Sequence, residues 1–398
     1  MLGFASGLPL ALTSGTLQAW ATVSKVSLQD IGFLTLIGSA YTLKFLWAPL
    51  VDRYVPPIFG RRRGWMFCTQ ILLALGIAAM GMMSPADHLG MLSALAVLVA
   101  FLSATQDIAF NAYGTDVLRK HELAAGAAVQ VLGYRLAMIV SGGLALVLAG
   151  EWLGWRSTYL LMGVLMALCA IATWLAPEPE DSVAEPKTLM IAVVEPLAEF
   201  FRRPGAWTIL VLIVLYKLGD AFAGALSTTF LLRGTGFSLA EVGTVNKIFG
   251  LAATIIGALA GGSLMARLGL YRSLMLFGIF QAISNFGYWV LAVTPPHLYS
   301  MAVVVAVENL CGGLGTAAFV ALLMALCNHE FSATQFALLS ALSAVGRTYL
   351  AGPLTPVLVH HLGWPAFFML TVFIGLPGLA LLWWRRREIR GLDEPGAA

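Results

Sequence analysis

Charge is what this sequence has least of. Only 11% of its 398 residues are Asp, Glu, Lys or Arg, against about 25% in soluble globular domains. Some 59% are apolar and the mean hydropathy is +0.86. A soluble domain held on one anchor is excluded, because apolar runs fill the chain from end to end. Cysteine is scarce too. Cys68, Cys169, Cys311 and Cys327 lie in or beside apolar runs with no CxxC spacing, so they read as small buried hydrophobes, with no disulfide or metal expected. The six histidines sit near the ends of apolar runs and no HExxH pattern occurs, which argues against an intramembrane zinc enzyme. No cluster of His, Asp and Ser gathers at one interface, so neither enzymatic activity nor a cofactor is expected. The net charge of +3 is uninformative and no nucleic-acid partner is expected. A basic segment is also missing before the first apolar run, which is too long for a cleaved signal peptide and is followed by further runs. That run starts almost at Met1, and the upstream end of its helix is expected to be missing.

What is present is a series of apolar windows near the roughly 20 residues that cross a bilayer. Twelve occur: 2–22, 31–51, 64–83, 90–114, 124–149, 156–176, 207–230, 240–265, 271–293, 298–326, 334–358 and 365–384. Lys and Arg in the loops fall unevenly. One side holds fifteen: Arg53, Arg61, Arg62, Arg63, Arg119, Lys120, Lys187, Arg202, Arg203, Arg267, Arg272, Arg385, Arg386, Arg387 and Arg390. The other holds only Lys25, Arg156 and Arg233. The positive-inside bias makes the first side cytoplasmic, with both termini on it, and reads Arg61–Arg63 mainly as topology signal. The expected architecture is all-α: a six-helix bundle over 1–176, a cytoplasmic linker over 177–206, a second bundle over 207–384 and a cytoplasmic tail over 385–398.

An internal repeat supports two similar halves. Ser27-Leu28-Gln29-Asp30 and Ser238-Leu239-Ala240-Glu241 are both capping boxes opening a second span. Gly133-Tyr134-Arg135 matches Val345-Gly346-Arg347 in register, and Leu153-Gly154-Trp155 matches Leu362-Gly363-Trp364. Two six-helix halves of equal orientation, related by an axis along the membrane normal, resemble the major facilitator fold.

Eight ionisable residues fall inside the apolar runs: Lys44, Asp107, Arg135, Lys217, Asp220, Lys247, Glu308 and Arg347. Each costs roughly 2.5 kcal/mol or more at mid-membrane, so such residues are functional candidates. They avoid spans 3, 6, 9 and 12, which the major facilitator resemblance places outermost. Five cations against three acids favour an anionic substrate, with Arg suited to a two-pronged grip on a carboxylate. The expected substrate-binding set is Lys44, Arg135, Lys217, Lys247 and Arg347 with Tyr41, Gln106, Tyr134, Asn246 and Asn309. Thr13, Ser14, Gln18, Trp20, Tyr113 and Tyr216 are further candidates, although Trp20 and Tyr113 read better as anchors at the membrane surface. A carboxyl group in a low-dielectric setting holds its proton more tightly. Asp107, Glu308 and Asp220 are therefore the proton-coupling candidates, with Lys217 and Asp220, three residues apart, the readiest ion pair. Asp116 reads as a helix-end or loop charge. Asp52 and Arg53, followed by Gly60-Arg61-Arg62-Arg63, resemble the loop signature of major facilitators, in which the Asp helps hold one gate state.

Longer stretches carry a narrower likeness. LGFASGLPLALTSGTLQAW (2–20), KFLWAPLVDRY (44–54), VLGYRLAMIVSGGLAL (131–146), LYKLGDAFA (215–223), ENLCGGLGTAAFVALLM (308–324) and FSATQFALLSALSAVGR (331–347) resemble those of proteobacterial muropeptide permeases of the AmpG type. The resemblance spans essentially the whole chain, in order. It implies a monomeric inner-membrane importer of GlcNAc–anhydroMurNAc, with or without its stem peptide. Import would be proton-coupled and would serve peptidoglycan recycling and, in some bacteria, β-lactamase induction. The expected partners are that substrate, protons and membrane lipids. The alternative is a facilitator of another anionic solute, such as a peptide or acyl-CoA.

Overall fold

The computed structural model describes residues 1–57, 59–117, 123–177, 195–203, 205–327 and 332–392. Most of the expected linker, the end of the tail, and Arg119, Lys120 and Lys187 lie outside these residues. So does the side chain of Asp52.

The described residues are helical, with no strand among them. α1 (Leu2–Leu12) and α2 (Gly15–Val23) make the first span, broken at Thr13 and Ser14. The break has local causes. Pro9 sits inside α1 without an N–H to donate, and the Thr13 and Ser14 hydroxyls donate back to the Pro9 and Leu10 carbonyls at 3.0 and 2.5 Å. The expected second span, 31–51, is not one helix. It is α3 (Leu28–Leu34), a 3₁₀ turn, α4 (Ser39–Thr42), a second 3₁₀ turn over Lys44–Leu46, and α5 (Ala48–Arg53). Thr35 and Thr42 donate to the Gly32 and Gly38 carbonyls, and Pro49 lacks a donor where α5 starts. The caps expected at Ser27 and Ser238 both form.

α6 (Arg61–Gly81), α7 (Pro85–Val117), α8 (Leu123–Met138), the short α9 (Ala145–Val147) between two π turns, and α10 (Gly154–Leu175) follow. Then come α11 (Glu195–Arg202), α12 (Ala206–Ala225), α13 (Ser227–Thr229), α14 (Leu239–Glu241), α15 (Gly250–Leu268), α16 (Leu270–Ser284) and α17 (Phe286–Val293). The last are α18 (Leu298–Ala325), α19 (Ser332–Val345), α20 (Gly352–Trp384) and α21 (Arg386–Gly391). Nine helical stretches among the described residues are long and apolar enough to cross a membrane. One of these, Gln335–Trp384, contains two spans that meet at Gly363, where φ is 73°. With the two broken stretches, the described residues account for twelve spans.

The chain forms two compact units: Met1–Pro186 with Ser238–Ile248, and Lys187–Phe237 with Phe249–Ala398. The sequence places 238–248 wholly in the second half; its contacts group it with the first unit. There α14 packs on α9, and Gly243 lies so near the Gly143 carbonyl that a Cβ would be 2.7 Å from its oxygen. Within the first unit α1 packs on α8 and α7, and α6 on α7 and α10. Within the second, α15 and α16 pack on α18 and α12 packs on α20. Apolar side chains gain nothing here by leaving water, so close van der Waals fit at small residues is what joins such helices.

Three sequence expectations are corrected. Trp20 is 5% exposed and stacks on Trp155 with ring centroids 5.4 Å apart, so it is a packing residue and not a surface anchor. Tyr113, also 5% exposed, donates to the Pro177 carbonyl at 2.7 Å. Arg62 and Arg63 are more than topology signal, and Asp116 is more than a helix-end charge. Arg62 is buried and pairs with Asp116 at 2.9 Å, tying α6 to α7. Arg63 donates to the Thr173 and Trp174 carbonyls, where the C-terminus of α10 favours a cation.

Candidate functional site

Two polar clusters lie within the spans, one in each unit. In the first, Asp107 on α7 is 7% exposed. Its carboxylate accepts from the Ser6 hydroxyl at 2.5 Å and pairs with the Lys44 ammonium at 3.6 Å. Each partner has a structural reason to be there. Gly3 and Gly7 bring α1 against the backbone of α8 at Gln130 and Tyr134, which sets Ser6 beside α7. Lys44 sits in the 3₁₀ turn of the broken second span. Tyr41 and Tyr134 lie close enough to Asp107 to feel its charge. The buried Tyr41 hydroxyl lies beside the Ser103 and Thr13 hydroxyls, and both amide atoms of Gln106 are buried with no hydrogen-bond partner among the described residues. Such groups are rare, because each costs about 1–3 kcal/mol while unmet. Lys247, in the π turn Val242–Phe249, places its ammonium beside Gly15. Arg135 and Asn246 are half-buried in the same unit, and Arg53 is exposed at the end of α5.

In the second unit, Lys217 and Asp220 on α12 pair at 3.7 Å, as their spacing predicts. Gln281 on α16 donates to Asp220 at 2.5 Å, and Lys217 donates to the Thr316 hydroxyl on α18 at 3.2 Å. The Lys217 ammonium also lies 5.7 Å from the centre of the Phe319 ring, on which Tyr216 stacks. Tyr216 donates to the Leu274 carbonyl, which makes it a packing residue. Glu308 accepts from the Asn309 amide at 2.8 Å, and Asn309 accepts from the Thr254 hydroxyl at 3.0 Å. The fully buried Tyr288 faces Glu308. Arg347 is exposed on the π turn Gly346–Ala351, which packs on α12.

The structure therefore brings together Lys44, Asp107, Tyr41 and Tyr134 in one cluster, while Gln106 is buried next to Asp107 on α7. Lys217 with Asp220, and Glu308 with Asn309, are joined in the other unit. Arg53, Asn246 and Arg347 are not joined to either cluster. The sequence placed Ser103 on one polar stripe with Asp107; it missed Ser6, Gln281, Thr316 and Thr254, all uncharged. Gln281 lies on span 9, whose lack of charge had set it aside; a lone amide in an apolar run was the only available signal.

The Major Facilitator Superfamily model matches residues 1–346 and, in a second match, residues 218–397. Over 382 residues the chain is 63% identical to the anhydromuropeptide permease of Escherichia coli (strain K12), covering 96% of this chain and 78% of that one. The chain belongs to the anhydromuropeptide permease family of the major facilitator superfamily. It is also 32% identical over 402 residues to "Putative transporter AmpG 4" of Rickettsia felis, covering 98% and 96% of the two chains. A bacterial homolog of the human lysosomal transporter Spinster, solved inward-facing and unoccupied, superposes with a TM-score of 0.78. Its identity is 16% over 99% of this chain and 96% of that one, a likeness of fold alone. As an anhydromuropeptide permease family member, the chain is a multi-pass membrane transporter and not an enzyme. The expected family and fold class are thereby borne out.

Proposed function

We propose that the chain imports anhydromuropeptides, GlcNAc–anhydroMurNAc with or without stem peptide, across the bacterial inner membrane for peptidoglycan recycling. The observation that carries this reading is the 63% identity over 96% of the chain to a permease of that name. Residue chemistry supports it. The ligand bears carboxylates, hydroxyls and amides, and the first-unit cluster offers the Lys44 ammonium beside neutral donors and acceptors. Lys44, Arg135 and Lys247 in one unit and Lys217 and Arg347 in the other are the candidates for the carboxylates. Tyr41, Gln106, Tyr134, Asn246 and Asn309 are candidates for the sugar and peptide polar groups, with Ser103 on the same polar stripe as Asp107.

Proton coupling belongs to the same reading. Asp107 is the better-placed candidate, because its partners Ser6 and Lys44 come from two interrupted spans. Glu308 and Asp220 are the candidates of the second unit. Asp52 and Arg53 are assigned to gating by motif alone. The loop arginines favour cytoplasmic termini and the monomer is the expected working unit.

The test is uptake of labelled anhydro-disaccharide, with and without stem peptide, in cells lacking their own permease, with an uncoupler as control. Uptake dependent on this chain and lost with the uncoupler is expected. Membrane-inserted protein that gives no uptake of either ligand would sink the reading.

A further inference from the structure

α11 is a short helix that ends just before the first turn of α12, and it packs on α12 and α19. Glu199 and Arg203, in its last turn and just past it, bond inward. Arg203 donates twice to Glu199, at 2.9 and 2.7 Å, and once to the Leu326 carbonyl. Gln335 donates to the same carboxylate at 2.5 Å. Beside these bonds runs a groove of about 190 Å³, lined by Phe200, Phe201, Leu210, Leu338, Leu339 and Leu342, with Gln335 as its one polar wall. A dry cavity of about 150 Å³ already admits a benzene ring.

The groove's surroundings are those of a membrane boundary. It opens beside the first turn of a membrane span, next to Trp207, which is 71% exposed and packs on the exposed Phe201 with ring centroids 5.0 Å apart. Exposed Trp at the start of a span marks the boundary between headgroups and acyl chains. A slot between span ends at that depth borders the acyl chains of the bilayer. Arg202, exposed at the last turn of α11, stands at that boundary; the Arg385 guanidinium, which lies against Gly205, is already paired with Glu388 at 2.6 Å. Basic residues beside an apolar inter-helix slot select negative headgroups.

We propose that this groove is a binding site for an anionic phospholipid of the surrounding bilayer, with one acyl chain against Leu338, Leu339 and Leu342 and the phosphate at Arg202. Bound there, the lipid ties α11 to the ends of two spans. The site is separate from the transport clusters and stands or falls independently of the substrate.

The test uses the purified full chain in detergent, titrated with phosphatidylglycerol or with phosphatidylcholine of matched acyl chains. Retention is read by native mass spectrometry and stability by melting temperature. Phosphatidylglycerol is expected to be retained and to raise the melting temperature more than phosphatidylcholine does. Arg202→Ala is expected to weaken phosphatidylglycerol binding about fivefold, the worth of one arginine at an anionic membrane surface, and to leave phosphatidylcholine unaffected. Arg202→Lys should restore most of the binding. Leu338→Trp, which fills the groove, should remove retention of both lipids. Equal retention of the two headgroups by the unaltered chain, or undiminished phosphatidylglycerol binding in Arg202→Ala, would overturn the proposal. Should Leu338→Trp fail to fold, the arginine pair of variants still decides.

Discussion

Replacing Lys44 by Met removes one charge from the first-unit cluster while keeping the length of the side chain. Asp107 is 7% exposed and would be left with the Ser6 hydroxyl at 2.5 Å as its only described partner. Breaking a fully buried ion pair from one side costs about 3–5 kcal/mol, whereas an exposed pair contributes about 0–1 kcal/mol. The Lys44 side chain is 35% exposed and its ammonium stands 3.6 Å from the carboxylate, which places this pair between those limits. Lys44→Met is therefore expected to lower stability by about 2 kcal/mol. Asp107→Asn leaves a lysine that can still reach water, so about 1 kcal/mol is expected. If the two act as a pair, the double variant should lose no more than about 2 kcal/mol, well short of the two single losses combined. The assay is equilibrium unfolding in mixed micelles for all four proteins. Losses that add to within about 0.5 kcal/mol would refute the argument, because uncoupled residues add.

Three further outcomes are expected. Arg135→Ala and Arg347→Ala should each abolish anhydromuropeptide uptake at unchanged protein level in the membrane; normal uptake by both would rule out the carboxylate grip. Of Asp107→Asn and Glu308→Gln, one should lose the dependence of uptake on a proton gradient; if both still collapse with an uncoupler, coupling lies elsewhere. Gly257→Val should destabilise by about 1–3 kcal/mol, because a side chain there meets the Leu310 carbonyl where α15 crosses α18. An unchanged melting temperature would show that the two helices separate at little cost.

How far the sequence discloses this protein depends on which physical signal a feature leaves. Spans are legible because twenty apolar residues in a row are costly anywhere but in a bilayer. Continuity within a span is not. Hydropathy treats 31–51 as one run, yet the hydroxyls of Thr35 and Thr42 and the ring of Pro49 act on individual backbone bonds, and an average over a window erases them. The small residues that set helix spacing were equally hidden. Gly243 counts as one more neutral residue until Gly143 is seen facing it.

The clusters divide along the same line. A charge in an apolar run is conspicuous, so Lys44, Asp107, Lys217, Asp220 and Glu308 could be named from sequence. Their neutral partners could not, because Ser6, Gln281, Thr254 and Thr316 cost little to insert and are common in spans. That asymmetry also explains the mistaken view of Arg62. A basic residue in a loop is what topology predicts, so nothing in the sequence separates a solvated arginine from one buried against Asp116 at 2.9 Å. The break in the first span and the irregular second span belong to this picture. Ser6 comes from the first and Lys44 from a 3₁₀ turn of the second, and both converge on a carboxylate in the continuous α7. A regular second helix would put Lys44 on a different heading. The irregular backbone is thus what delivers the cation to Asp107.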